Sequence, residues 1–373
     1  MSKITLILLS AGSSSRFGLD VKKQWLRIDS IPLWQFVANN FEKTNLFHKI
    51  IIASSKDDIE FMKNYADFTF VEGGDSRQKS LQNALNFVDT DYVLVSDIAR
   101  ACINKDFLEK IVAQKGKVDC IVPYLKVSDT IVYEDTTIDR EKVKRVQTPQ
   151  LSLTSKLKDA LKTDVEFTDE SSAIVASGGT REFILGEEDA NKITFIKDLN
   201  ALPCLKKPSS DILSGNGFDV HAFDTKGKMY LCGVEIKSDF GFVAHSDGDV
   251  AIHSLIDALL GASGMGDIGI LFPDNDARYK GIDSKELLKN VVSKIYQFGF
   301  EIVNVDVTII AQKPRIGIYK NEMRTTLADI LNIEKARVNV KATTTEKLGF
   351  IGREEGVGVI ANANLKYFDW TQI

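Results

Sequence analysis

Three of the four histidines of this 373-residue chain fall within one window, in the strings Gly217-Phe218-Asp219-Val220-His221 and His245-Ser246-Asp247-Gly248-Asp249-Val250-Ala251-Ile252-His253. Outside that window only His48 occurs. Imidazole nitrogen with carboxylate oxygen suits borderline-soft Zn²⁺, or another divalent transition metal, held by three protein ligands with a fourth position open. In an extended segment Asp219 and His221 point to the same face, because side chains alternate with period two. His253 then comes from a second element and closes the set. An isolated histidine is more often an ordinary core or surface residue. Asp-x-His followed by Ser-Asp-Gly-Asp-x-x-x-His is far more specific.

A second set of chemistry-bearing strings lies in the first half. Leu9-Ser10-Ala11-Gly12-Ser13-Ser14-Ser15-Arg16-Phe17-Gly18 is a small-residue loop whose backbone N–H groups can approach a polyphosphate. Arg16 and Lys23 are cations able to neutralise a nucleotide triphosphate. The loop lacks the Gly-Lys-Ser/Thr of a Walker A motif and the Gly-x-Gly-x-x-Gly of dinucleotide folds. Gly73-Gly74-Asp75-Ser76-Arg77 with Ser80 forms another loop into a helix, and Ser96-Asp97-Ile98-Ala99-Arg100 sets a carboxylate, suited to Mg²⁺, at a strand end. Thr148-Pro149-Gln150, Phe167-Thr168-Asp169-Glu170 and Asn191-Lys192-Ile193-Thr194 follow. The second half adds Gly266-Asp267-Ile268-Gly269, Leu271-Phe272-Pro273-Asp274, Lys341-Ala342-Thr343-Thr344-Thr345-Glu346-Lys347-Leu348-Gly349-Phe350 and Gly352-Arg353-Glu354-Glu355-Gly356. Three successive threonines beside a metal site read as hydroxyl donors to a polyphosphate. Asp249, just before an apolar helical run, reads as its N-cap.

Those residues need elements to hold them. In the first half short apolar runs at Ile4–Leu9, 50–53, 92–95 and 120–122 alternate with helical patterns at 33–43, 77–88 and 107–113. Such alternation predicts an α/β domain with a mostly parallel sheet, its ligands beyond the carboxyl ends of the strands. Leu202-Pro203-Cys204-Leu205-Lys206-Lys207-Pro208-Ser209-Ser210 reads as a linker at about 202–211, giving domains 1–210 and 211–373. The second half predicts an α+β domain with one sheet and helices on one side: strands at 217–221, 229–234, 302–311, 338–342 and 356–365, and helices at 250–260 and 285–298.

Composition narrows the partners. Hydrophobic content of 44% and a net charge of −5 are those of an ordinary globular chain. Neither half has the basic excess of a nucleic-acid-binding surface, and no apolar run is long enough to span a membrane. Four scattered cysteines, Cys102, Cys120, Cys204 and Cys232, suggest no disulfide framework and fit a reducing cytoplasm.

In order and spacing, the strings of residues 1 to about 200 closely resemble the 2-C-methyl-D-erythritol 4-phosphate cytidylyltransferases of the non-mevalonate isoprenoid pathway. The resemblance implies a Rossmann-like nucleotidyltransferase domain in which methylerythritol phosphate attacks the α-phosphorus of CTP and expels pyrophosphate. It makes Arg16 and Lys23 the transition-state cations, Asp97 the metal-binding carboxylate, Gly74, Asp75 and Ser80 cytidine contacts, and Lys192 and Thr168 substrate-positioning groups. Two departures stand out: Thr154 replaces a basic residue that grasps the substrate phosphate, a task left to Lys192 or Lys156, and the family's His-Asp-Ala-Ala-Arg reads Ser-Asp-Ile-Ala-Arg.

Residues 212–370 are similar to 2-C-methyl-D-erythritol 2,4-cyclodiphosphate synthases. The similarity implies zinc on Asp219, His221 and His253, and Glu346 with Mg²⁺ on the diphosphate of the cytidylyl 2-phosphate substrate. It implies transition-state roles for His245 and Thr344, phosphate contacts at Ser246, Thr343 and Thr345, and methylerythritol contacts at Asp267, Gly269 and Asp274. Residues 311–317 would form the cytosine loop, while Phe350 and Arg353 complete the substrate-side set. Phe218, Arg353 and Glu355 match residues around the central cavity of a trimer, where related proteins hold an isoprenoid phosphate. The families imply a trimeric C-terminal domain, an N-terminal domain that dimerises through an arm near 128–145, and a hexamer satisfying both. No kinase loop is present, so a separate kinase of the same pathway must act between the two steps. The alternatives are a sugar-nucleotide transferase fused to a zinc hydrolase, and a nucleotide-sensing scaffold without turnover.

Overall fold

The computed structural model describes residues 3–12, 14, 17–225, 227–243, 247–273 and 281–372. Two compact units result: residues 1–208 with 369–373, and Ser209–Phe368. The expected second domain, 211–373, therefore gives up its C-terminal end to the first unit. The reason is Trp370, whose ring is buried and whose Nε1 donates to the Arg27 carbonyl at 2.8 Å. A large ring with one polar atom gains by burial only where that atom finds an acceptor.

The first unit is built on an eight-stranded sheet in the order Lys144–Val146, Cys120–Lys126, Gln150–Leu153, Tyr92–Asp97, Ile4–Leu9, Lys49–Ser54, Thr69–Glu72, with Arg181–Leu185 beside Cys120–Lys126. The four strands from Tyr92–Asp97 to Thr69–Glu72 run parallel. Ile4–Leu9 lies among them and is buried along its whole length, as a strand covered on both faces must be. Gln150–Leu153 inserts antiparallel between Tyr92–Asp97 and Cys120–Lys126. It was not foreseen, being short and partly polar. The helices expected at 33–43, 77–88 and 107–113 occur as Leu33–Glu42, Arg77–Leu85 and Lys105–Val112.

One expectation is overturned: Cys102 and Cys204 are joined as a disulfide, with their Cα atoms 5.5 Å apart. Sequence spacing could not show it, because the pairing is tertiary. The segment ahead of Cys204 runs along the one ahead of Cys102, Ile193 N donating to the Ala99 carbonyl at 2.8 Å. Cys120 and Cys232 are free and buried. Among the described residues no helix is long and apolar enough to cross a membrane.

The second unit is a five-stranded sheet in the order Gly241–Phe242, Leu213–Asp224, Gly356–Tyr367, Phe300–Ile310, Val338–Thr343, with only the last pair parallel. Helix Val250–Ser263 is buried nearly all round, leaving only the stripe His253, Asp257 and Gly261 less covered, whereas Ser284–Gln297 buries one face, as does Lys320–Leu331, which the sequence reading passed over. The expected strand at 229–234 is instead a hairpin, Met229–Leu231 and Val234–Ile236, because Cys232 and Gly233 both turn through positive φ.

Helix Val250–Ser263 meets strand Leu213–Asp224 at unusually short range. A Cβ on Gly217 would sit 2.0 Å from the Ser254 carbonyl oxygen, and one on Gly215 would sit 2.1 Å from that of Ala258. Only glycine lets two backbones approach this closely. Ser254 Oγ then donates to the Gly217 carbonyl at 3.0 Å. Because alternate residues share a face, the same close contact points Asp219 and His221 at the helix. Gly217→Ala should therefore push the helix off the strand and lower stability by roughly 1–3 kcal/mol, read by denaturant unfolding; a change below half a kcal/mol would show that the contact is not tight.

Candidate active sites

The first site lies where the parallel strands end. Their register aligns Leu9 with Ala53 and Asp97, and Ser54 with Glu72, so the loops that follow leave the sheet side by side. They enclose a pocket of about 550 Å³ lined by residues that include Ser10, Gly12, Ser14, Lys23, Gly74, Asp75, Arg77, Ser80, Asp97 and Lys192. A Cβ on Gly73 would lie 2.6 Å from that of Ala11, so glycine there lets two pocket loops touch. Gly74 N donates to Ser80 Oγ at 3.0 Å, and Lys23 Nζ donates to the Ile193 carbonyl at 2.6 Å.

Charge in this pocket centres on Asp97. Lys192 Nζ lies 3.0 Å from its Oδ2 and Arg77 Nε 3.4 Å from its Oδ1. Thr148 Oγ1, which accepts from Arg100 Nε at 2.7 Å, also donates to Oδ2. Burial alone would raise the Asp97 carboxyl, but the surrounding cations, Arg77 foremost, hold it well below the usual carboxylate range. Arg77 Nη1 in turn lies 2.7 Å from Glu170, whose side chain is fully buried. Burial pushes the Glu170 carboxyl up against the pull of Arg77.

The second site is formed by strand Leu213–Asp224 and helix Val250–Ser263. Asp219 Oδ2 lies 3.2 Å from His221 Nε2 and 3.4 Å from His253 Nδ1. A tetrahedral ion with bonds of ~2.0–2.1 Å has ligand–ligand edges of about 3.3 Å, so both separations fit. The three ligand atoms all lie within 4.8 Å of one another. The other ring nitrogens are held from behind: His221 Nδ1 by the Gly248 carbonyl at 3.0 Å, and His253 Nε2 by Ser284 Oγ at 3.0 Å, which donates to Asp247. Such partners fix ring orientation and tautomer. Asp249 does cap the helix, accepting from Ile252 N, and also from Cys232 N and Gly233 N of the hairpin turn. Burial opposes the Asp219 carboxylate, yet bonds from His221 and His253 keep its pKa well below normal.

Asp267 caps the short helix Ile268–Leu271, which carries Gly269. Ile268 N donates to Asp257 Oδ1 at 2.8 Å, and Asp257 is one turn after His253. Thr343 ends the edge strand Val338–Thr343 instead, and Thr344, Thr345, Glu346, Phe350 and Arg353 follow it. Val220, Gly358, Ile310 and Thr343 form one row across the sheet, so Thr343 stands about 14 Å from Val220 at the usual strand spacing. Thr344 Oγ1 donates to Glu346 at 2.8 Å, and Arg353 forms a two-point pair with Glu355. One copy thus keeps the threonine loop apart from the Asp219 cluster. Thr168 is exposed and does not line the first pocket, and neither does Lys156. Arg16, His245, Ser246 and Asp274 lie outside the described residues.

Two family models match the chain: 2-C-methyl-D-erythritol 4-phosphate cytidylyltransferase over residues 4–203, and the YgbB family over residues 212–366. The "Bifunctional enzyme IspD/IspF" of Sulfurimonas denitrificans is 71% identical over 99% of this chain and 96% of its own length. That of Aliarcobacter butzleri is 54% identical over 99% of both. The chain belongs to the bifunctional IspD/IspF family. The solved structure of the bifunctional IspDF from Campylobacter jejuni superposes with a TM-score of 0.91 at 47% identity, covering 99% of this chain and 100% of that one.

The protein is accordingly a cytidylyltransferase and a cyclodiphosphate synthase of the methylerythritol phosphate pathway, a metal-dependent enzyme acting on small molecules. A sugar-nucleotide transferase fused to a zinc hydrolase is not favoured. The sequence reading overlooked Arg77, Glu170, Asp257 and Ser284 as parts of the sites. Arg77 and Glu170 each stand in a quoted string, but only the fold reveals that the two meet.

Glu170 owes its position to Asp169, which caps helix Glu170–Ala176 and accepts from Ser172 N, Ser171 Oγ and Gln150 Nε2. Burial works against the Asp169 carboxylate, but these bonds lower its pKa overall. A carboxyl lowered by folding stabilises above its unfolded value and loses that contribution as pH falls through the folded one. Asp169→Ala should cost about 1 kcal/mol near neutrality, with the gap to wild type closing below about pH 4 in urea unfolding; a gap constant with pH would refute the assignment.

Proposed function

We propose that the first pocket is the cytidylyl-transfer site and that Asp219, His221 and His253 form the zinc site of the cyclisation. The observation that carries this is the convergence of one carboxylate and two imidazoles at tetrahedral spacing on Asp219 Oδ2. In the first reaction an oxygen of methylerythritol 4-phosphate attacks the α-phosphorus of CTP and pyrophosphate leaves. Lys23 and Lys192 supply fixed positive charge where the pentavalent phosphate forms, Gly74, Asp75 and Ser80 hold the cytidine, and Asp97 receives Mg²⁺. Such transfer needs positioning and electrostatics rather than covalent help.

In the second reaction the 2-phosphate of the cytidylyl derivative attacks the β-phosphorus, closes an eight-membered ring and releases CMP. Nucleophile and electrophile belong to one molecule, which supplies much of the proximity advantage. A zinc ion on the three ligands would act as a Lewis acid toward a phosphate oxygen. Thr343, Thr344 and Thr345 offer hydroxyls to the diphosphate, and Glu346 a carboxylate for Mg²⁺.

The separation within one copy favours a threonine loop contributed by a neighbouring copy. Phe218 is 61% exposed and pairs across the sheet with Ile360, 39% exposed. Their open apolar face fits a C-terminal homotrimer. The hairpin Ile131–Tyr133 and Thr136–Ile138 exposes Val132 and Tyr133 and fits an N-terminal dimer arm. Both symmetries together give a hexamer. A separate kinase supplies the 2-phosphate between the steps, and a cytoplasmic location suits that sequence.

Asp219→Asn and His253→Ala should each lose bound zinc by elemental analysis and lose CMP release by at least roughly a hundredfold, as expected when electrostatic stabilisation is removed. Cytidylyl transfer should persist in both. Asp97→Asn should show the reverse pattern. Zinc retained at full stoichiometry in both cluster variants would sink the metal assignment.

A further inference from the structure

The reading of the first pocket leaves a buried acid without a task. Glu170 has a fully buried side chain, and its Oε2 has no hydrogen-bond partner among the described residues. A carboxylate in that state is costly to keep. Among the described residues its ion pair is with Arg77, at 2.7 Å, while the same guanidinium stands off from Asp97 at 3.4 Å. The guanidinium is thus shared unequally. Its short bond goes to the acid that faces no ligand, and its long one to the acid that lines the pocket. Were Glu170 neutral, nothing would stop Arg77 from closing on Asp97, as two-point guanidinium–carboxylate pairing favours. Lys192 already occupies the other oxygen of Asp97. With Oδ2 held by Lys192 and Oδ1 carrying only the long 3.4 Å bond from Arg77, a tighter two-point hold by Arg77 would leave Asp97 a poor acceptor for a divalent cation.

The geometry points to Glu170 as a positioning residue for cytidylyl transfer: it holds Arg77 to a long bond on Asp97, so that Asp97 Oδ1 can take the nucleotide's divalent cation. The inference rests on the reading of Asp97 given above. Its test uses the full-length protein and two variants, Glu170→Gln and Glu170→Asp. Two quantities are read: the Mg²⁺ concentration for half-maximal cytidylyl transfer, and Mn²⁺ binding to the CTP-bound protein by electron paramagnetic resonance. Glu170→Gln should weaken both by roughly tenfold, the low end for losing a residue that orients a metal-binding group. Glu170→Asp, which keeps the charge on a shorter stem, should shift both less and in the same direction. CMP release should be untouched in each.

A lowered melting temperature with unchanged Mg²⁺ dependence and Mn²⁺ binding would overturn the proposal, leaving Glu170 a clamp between two helices. If Glu170→Gln does not fold, an unshifted Glu170→Asp overturns it alone. Asp97→Asn separates the two claims. Should that variant transfer CMP at the wild-type rate, the reading of Asp97 fails; should it be inactive while the Glu170 variants keep normal metal dependence, only the positioning role fails.

Discussion

The second unit depends on a backbone-to-backbone contact at Gly215 and Gly217, where strand Leu213–Asp224 and helix Val250–Ser263 approach closer than any side chain allows. The placement of Asp219, His221 and His253 follows from it. The alternation of the strand turns residues 215, 217, 219 and 221 to the same face, so the glycines that admit the helix determine where Asp219 and His221 point. The helix presents His253 one residue ahead of Ser254, whose hydroxyl bonds back to the Gly217 carbonyl. Asp249 ties the start of the helix to the turn at Cys232 and Gly233. With both ends of the contact held, the two imidazoles reach Asp219 with little freedom left to lose. Preorganisation of this kind would make the proposed three-ligand site selective for geometry.

The first unit solves a different problem. Its pocket gathers Arg77 and Lys192 around Asp97, with Lys23 also in its lining, positive charge of the kind a triphosphate needs. Partial burial makes each of these charges count for more than it would in water. Excess charge also threatens the site, because unoccupied cations pair with the nearest carboxylate. Asp97 is that carboxylate. The buried pair of Arg77 with Glu170 keeps one cation partly satisfied elsewhere, so the pocket's charges are held in place by pairs of its own.

Much of this was legible in the residues. The buried strands announced themselves as unbroken β-branched runs, and Ile4–Leu9 is found with its expected bounds. The window holding Asp219, His221 and His253 could be read as a metal site because alternation and helix periodicity are local rules. What escaped was tertiary. Trp370 returns to Arg27 across nearly the whole chain, and no periodicity predicts that. Cys102 and Cys204 meet because two loop segments run together. Glu170 stood in a quoted string without a role of its own, and its bond to Arg77 joins helices 93 positions apart. Gly215 and Gly217 carried a readable signal, two glycines alternating into Asp219, yet glycine in a strand has several meanings. Only the helix lying across it selects one.

The threonine loop shows how an apparent mismatch becomes informative. Thr343 and Val220 occupy one row of a single sheet, with two strands between them. A row of β-sheet is nearly rigid along its hydrogen bonds, so no loop motion of a few ångströms brings Thr344 to the Asp219 cluster across it. The two groups do share one end of the sheet. In the proposed trimer, with the exposed residues Phe218 and Ile360 turned inward, the edge of one copy would stand beside the Asp219 cluster of the next. Apolar burial and completion of the site would then have a single cause. The same face that would be a liability on an isolated chain would become the means by which separated residues meet.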